Sequence, residues 1–318
     1  MSKDILVSIH YIREELFHMN DRLNKPTVAV IIPSYKCSET LHRAISSIVK
    51  QTRPVEEILV VDDCSPDGSK IKAIAESFPR VKYIRNEVNI GLAGSRNAGL
   101  FATNCEIVAF MDADDESHPQ RIEIQLKYLT HNSVVTCDFM RIADKAKPEY
   151  IYYAKEKIKS NFSSYINALF NRITGAALMG ETALLRNAGG YDQELRASED
   201  LDLYLRLLNL GFTVKEVMLP LYVYHDTLGG LSKDKLYVWN SYVKVMDKFV
   251  TARFGGVSSW KAALFWFLVL FKEFVRAELI KNKALRQAVI GEVWRVSGFP
   301  PLKVLLLSFF KIFNRSSK

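Results

Sequence analysis

This sequence predicts an α/β fold, a doubly wound and mostly parallel sheet flanked by helices, and three observations carry the prediction. Apolar, β-rich runs alternate with helical patterns from Thr27 to Ala113, the runs are continuously apolar, and polar clusters follow their ends. Repeated βα order makes a parallel sheet. Unbroken apolar strands mean that helices cover both of its faces.

Residues 1–26 precede this pattern. Ile5, Ile9, Ile12, Leu16 and Met19 step by four, three, four and three, the stripe of one amphipathic helix. Asp4 and Arg13-Glu14-Glu15 bracket its uncharged stretch and no small-residue cleavage site follows, which argues against a signal peptide. Docking on the main domain is the favoured role, with a membrane or partner contact as the alternative.

The main unit, 27–232, opens with a strand at Val28–Ile32 and a helix from Ser38-Glu39. A strand at Ile58–Val61, a helix near 70–78, a strand at Val81–Ile84, a helix near 92–103 and a strand at Ile107–Phe110 follow. Residues 118–131 read as a helix. Val134–Ile142 and Tyr150–Tyr153 resemble strands around a Lys- and Pro-containing turn, where an antiparallel or acceptor-side section begins. Ser198-Glu199-Asp200 opens a helix with Ser198 as N-cap, acids in the first turn, apolar positions at 201, 205 and 208, and Gly211 as terminator. Short strands at 213–217 and 221–224 complete the unit.

Residues 233–318 form a basic helical region. They carry 16 Lys or Arg against 5 Asp or Glu, a balance of +11 that leaves −3 for the first 232 residues. Ala262–Phe271 is a run of ten apolar residues, too short for a bilayer span of roughly 20. It suits either an interfacial helix or one packed on the core. In 300–315, Lys303, Ser308, Lys311 and Arg315 oppose Val304, Leu305, Leu306, Phe309, Phe310 and Phe313, which favours an in-plane helix on anionic lipid over one packed on the core or a partner subunit. Four cysteines without C-x-x-C or zinc spacing fit reduced thiols in a cytosolic setting.

The chemistry-bearing motifs sit at strand ends, where open α/β sheets bind ligands. Met111-Asp112-Ala113-Asp114-Asp115 places three carboxylates beyond a strand, and hard divalent cations take such oxygens together with substrate phosphates. Pro33 and Tyr35 end strand one, and Asp62-Asp63-Cys64-Ser65-Pro66-Asp67-Gly68 ends strand two. Their shared crevice can accept a base N–H and ribose hydroxyls. Asn89 to Gly99 opens the next helix with small residues and Arg96, which can meet a base, a phosphate or a nearby Asp. Taken singly, each motif reads as well as a turn or a cap.

Together, I-I-P-S-Y, V-D-D-x-S-x-D-G, N-x-G-x-A-x-S-R-N-x-G, D-A-D and S-E-D, over residues 27–231, resemble glycosyltransferase family 2 with the GT-A fold. The resemblance implies a nucleotide-diphosphate sugar donor, UDP by family habit, a Mn²⁺ or Mg²⁺ ion, and inversion at the anomeric carbon. It implies that Asp62 and Asp63 hold base and ribose with Arg96 assisting. Asp114 would bind metal, Asp112 ribose or metal, and Asp115 would be structural. Asp200 matches the base, with Glu199 as the adjacent alternative. Thr174–Ala177 and Gly189-Gly190-Tyr191-Asp192 resemble the acceptor side. His225 falls where a third metal ligand or diphosphate contact is often supplied, and Gly229–Ser232 could form a lid. The helix dipole is expected to lower the Asp200 pKa.

The expected partners are a nucleotide sugar, a glycan or lipid-linked acceptor and a membrane surface, with no nucleic acid, at the cytoplasmic face of the plasma membrane. A nucleotidyltransferase or an NAD enzyme should show a Gly-rich loop after strand one, where Pro33-Ser34-Tyr35-Lys36 stands instead. A non-catalytic nucleotide-sugar-binding or membrane scaffold is the alternative of a different class.

Overall fold

The computed structural model describes residues 25–143, 158–159, 175–226, 234–255, 260–279 and 282–296. Four strands and three helices alternate first: β1 (Val28–Ser34), α1 (Leu41–Val49), β2 (Glu57–Asp62), α2 (Gly68–Glu76), β3 (Val81–Arg85), α3 (Gly91–Ala102) and β4 (Ile107–Phe110). β5 (Glu116–Ser117), α4 (Arg121–Tyr128), β6 (Ser133–Ala143), β7 (Ile158–Lys159), β8 (Met179–Glu181), α5 (Thr182–Asn187), α6 (Glu199–Asn209) and β9 (Thr213–Asp226) follow. Three helices close the described chain: α7 (Lys235–Phe254), α8 (Trp260–Leu279) and α9 (Lys283–Val296).

The strands form one sheet in the order β3-β2-β1-β4-β8-β6-β9-β5, with β7 also on β9. β3, β2, β1 and β4 are mutually parallel, as expected from the βα repeat. β8 then pairs antiparallel with both β4 and β6, so the sheet is mixed. Alternate residues of β1 supply different cores. Val28, Val30 and Ile32 meet Leu41, Ile45 and Ile48 of α1, whereas Ala29 and Ile31 face the cluster containing α3, α6 and the closing helices. Each such Val, Leu or Ile, taken fully out of water, contributes about 1.5–3 kcal/mol.

Several expectations shift. The two short strands at 213–217 and 221–224 are one strand, β9, whose register with β6 slips around Asp138. Pro220 sits opposite Asp138 at that irregularity, where a missing N–H is tolerated. Ser198 does precede α6, but it adopts φ +59° and its side chain caps nothing. Gly211 ends the helix as expected, at φ +87°. Of the apolar run 262–271, Ala262, Phe265, Trp266, Val269 and Leu270 are buried and Leu268 is exposed, and the Phe265 ring centroid lies 5.2 Å from that of Phe249 on α7. Among the described residues no helix is long and apolar enough to cross a membrane. The expected N-terminal helix, the strand at 150–153, Thr174, the segment 229–232 and the helix at 300–315 lie outside the described residues.

Candidate active site

β1 lies between β2 and β4, with Ser34 opposite Asp62 and Ile31 opposite Phe110. The D-D and D-x-D motifs therefore flank the end of β1, roughly 10 Å apart at two strand spacings. Pro33 is buried within β1, and Tyr35 just beyond it is 46 % exposed.

Both carboxylates of the D-D pair are already engaged by the protein. Asp62 is fully buried and accepts from Ser65 N at 2.8 Å, from Tyr83 OH at 2.5 Å and from Arg85. Asp63 accepts from Asn86 Nδ2 and Ile90 N at 2.9 Å and from Gly91 N at 2.7 Å, neutralising the orphan donors at the start of α3. The pair thus shapes the loop and orients α3. A nucleotide would have to share these oxygens.

The D-x-D turn is held from β9. Asp112 N donates to Tyr222 OH at 3.1 Å, and Tyr222 OH donates to Asp115 at 2.8 Å. His225 N donates to Asp115 at 2.9 Å. Burial, reinforced by the charges of Asp112 and Asp114, pushes Asp115 up to about 8. Asp115 thus spends both oxygens on β9, one on Tyr222 and one on His225.

His225 is the residue expected as a third metal ligand or diphosphate contact. Its ring is fully buried with Nε2 2.9 Å from Glu116 Oε1, and Nδ1 has no partner. Its strand neighbours turn the ring toward Glu116. Among the described residues no three His, Cys, Asp or Glu side chains converge on one cation position, so the trio Asp112, Asp114 and His225 is not assembled. Asp112 shares its carboxylate with Arg96, so an ion at the D-x-D turn would draw on Asp114 and on whatever oxygen of Asp112 the arginine leaves. Mg²⁺-type ions commonly take one or two carboxylates and complete their shell from substrate phosphates and water.

Arg96 joins the motifs. It is buried, donates to Asp112 at 2.9 Å and to Glu199 at 2.6 Å, and lies 5.3 Å over the Tyr191 ring. Asn97, the next residue, clamps the Tyr191 backbone with hydrogen bonds of 2.7 and 2.8 Å. With Glu199 bound to Arg96, Asp200 is the less committed acid; one of its oxygens accepts from Leu201 N at 2.8 Å. Burial and the adjacent Glu199 charge push Asp200 up to about 7, against the lowering pull of Arg96. The expectation of a lowered value is overturned because desolvation and like charge outweigh the helix dipole. The backbone at Gly175 runs so close that an added Cβ would sit 2.4 Å from Asp200 Cβ.

Residues 29–187 match the family described as glycosyl transferase family 2. The chain belongs to that family. It is 36 % identical over 107 residues to WfgD of Escherichia coli, a UDP-Glc:α-D-GlcNAc-diphosphoundecaprenol β-1,3-glucosyltransferase. That match covers 34 % of this chain and 42 % of WfgD. It is 27 % identical over 291 residues to an uncharacterised glycosyltransferase of Methanocaldococcus jannaschii, covering 83 % of this chain and 96 % of that one. A crystal structure of residues 1–349 of TarS from S. aureus with UDP-GlcNAc superposes with TM-score 0.63 at 18 % identity, over 83 % of this chain and 78 % of that one. The fold is of the GT-A glycosyltransferase type.

In this family 2 chain Arg96 links the D-x-D turn to the start of α6 beside the ends of interior strands, but several residues that brace the motifs carried no signal in the sequence. Tyr222 stands in an apolar strand, and Lys248 lies on α7, where nothing marks it. Lys248 bonds Asp192 at 2.5 Å and Asp202 at 2.9 Å, while Arg206 bonds Asp202 at 2.8 Å and the Gly190 carbonyl at 2.6 Å. The G-G-Y-D segment is thereby anchored to α6 and α7.

Proposed function

We propose that this chain is a metal-dependent, inverting glycosyltransferase that moves a sugar from a nucleotide-diphosphate donor, UDP foremost, to a hydroxyl of a glycan or lipid-linked acceptor in polysaccharide or glycoconjugate biosynthesis. The observation that carries this reading is Asp200, a carboxylate pushed up to about 7 beside Glu199, which Arg96 ties to the D-x-D turn. A base works best when its pKa lies near the operating pH.

In the reaction, Asp200 takes the proton of the acceptor hydroxyl. The freed oxygen pair forms the new bond to the anomeric carbon from the side opposite the leaving group. The bond from that carbon to the diphosphate oxygen breaks, and the diphosphate keeps the electron pair. Asp112 and Asp114 would hold the divalent ion, which when bound neutralises diphosphate charge. Arg96 fixes Asp112 and compensates Glu199, so one buried cation orients both ends of the site. UDP as donor and a lipid diphosphate as acceptor are supported by what TarS binds and what WfgD acts on.

Attachment to the cytoplasmic face of the membrane rests on the basic and aromatic composition of 300–315. Removing residues 300–318 should release the protein to the soluble fraction. Retention in high salt after the truncation would count against it.

The deciding experiment is calorimetric titration of UDP, GDP and dTDP, with and without Mn²⁺, on the wild type and Asp114→Ala. UDP is expected to bind only with metal and to lose binding in the variant. A folded wild type that binds none of the three would put a non-catalytic scaffold in its place.

A further inference from the structure

Beyond the D-x-D turn, β6 and β9 run on together and display an organised group of side chains that the reaction described above does not use. Phe139 is 43 % exposed on β6. Its ring lies 6.3 Å from that of Tyr224 at an interplanar angle of 60°, so the two rings are not stacked face to face and Phe139 keeps much of its surface in solvent. Arg141 stacks 5.1 Å over Tyr224 and pairs with Asp226 at 3.0 Å, with both charged side chains reaching solvent.

The backbone places this group deliberately. Register shifts on either side of Asp138 bring Phe139 opposite Tyr222 and Arg141 opposite Tyr224. Such bulges re-aim side chains and are common beside active sites. Tyr222 and Tyr224 share a strand face, and Tyr222 OH is the group that accepts from Asp112 N. Two residues along a strand span about 7 Å. The aromatic group therefore begins about one sugar ring from the metal motif.

We infer that Phe139, beside Tyr224 and flanked by the Arg141–Asp226 pair, is the platform on which a pyranose ring of the acceptor lies. The inference rests on the transferase reading and deepens it. A pyranose is amphipathic, with a face of C–H bonds and a rim of hydroxyls. The exposed ring of Phe139 takes the first by apolar contact. The guanidinium fork and the carboxylate, a donor set beside an acceptor set, take neighbouring hydroxyls. An acyl chain would have no use for the Arg141–Asp226 pair, and a nucleotide base is expected at the β1–β2 crevice on the other side of β4.

The test is saturation-transfer NMR on the full chain with methyl β-glycosides of glucose, galactose and N-acetylglucosamine, with UDP and Mn²⁺ titrated in parallel. At least one glycoside should receive saturation, strongest at the protons of one ring face. The signal should fall at least five-fold in Phe139→Ala, persist in Phe139→Trp and weaken several-fold in Arg141→Met. Equal signals in wild type and Phe139→Ala would overturn the platform, as would a UDP-binding wild type that saturates none of the glycosides. A wild type that binds a glycoside through Phe139 but no UDP would instead sink the donor reading and leave the platform standing.

Discussion

The Arg96 guanidinium lies 2.6 Å from Glu199 Oε1, and that contact divides the labour between two adjacent acids. Glu199 compensates a buried cation. Asp200, next in the chain, has no such cation partner among its hydrogen bonds and is the base we propose. Asp200→Asn should lower kcat by about 10²–10⁴-fold, the usual contribution of a general base, while calorimetry still detects UDP binding. The kcat–pH profile of the wild type should rise through about pH 7, because Asp200 is protonated and useless as a base below it. Glu199→Gln removes the like charge and frees Arg96 to act on Asp200; both lower its pKa. The acid limb should therefore move to lower pH, and a limb that stays in place would contradict the assignment.

Gly175→Ala tests the placement of the base. The new Cβ would fall 2.4 Å from Asp200 Cβ, so the carboxylate must move. A displacement of that order can cost about 10²-fold in turnover. Steady-state kinetics should show kcat reduced while UDP affinity is held, a split that a general loss of packing would not produce.

Asp62 makes a prediction of another kind. If it served the nucleotide alone, its removal would leave stability untouched. Because it accepts from Ser65 N and Tyr83 OH inside the fold, Asp62→Ala should cost about 1–3 kcal/mol in urea unfolding.

Asp115 should weaken the protein as pH rises. Its folded pKa, about 8, is raised from 3.8, so the unfolded chain ionises first and folding loses stability between those two values. Asp115→Asn keeps an acceptor for His225 N and gains an N–H that can donate to Tyr222 OH. Thermal melts in EDTA should show the variant's advantage growing from pH 4 to pH 8 and level above it.

The parallel half of the sheet was legible because each strand is a continuous apolar run closed by a polar motif, from Val28 to Phe110. The antiparallel half was not. β8 is three residues long, too short for any periodicity, and β9 hides its continuity behind Pro220. In the candidate site, the motifs fall at the strand ends where they were expected, but the partners of each side chain could not be read from them. Asp62 meets Tyr83 and Arg85 from the next strand over, and His225 turns toward Glu116 because β5 pairs there with β9. The proton affinity of Asp200 was misjudged for the same reason. Helix position can be read along the chain, whereas burial beside Glu199 cannot.

The pairing of Arg96 with Glu199 spans 103 residues, and that separation matters while the protein is being made. At about 5–20 residues per second, on the order of 5–20 s pass between synthesis of the arginine and arrival of the glutamate. Until then α3 must carry a cation destined for the interior with Asp112 as its only partner of the final pair. The first half of the nascent chain can therefore form the Arg96–Asp112 pair early, whereas the contact with Glu199, and with it the placement of the adjacent Asp200, has to wait for α6.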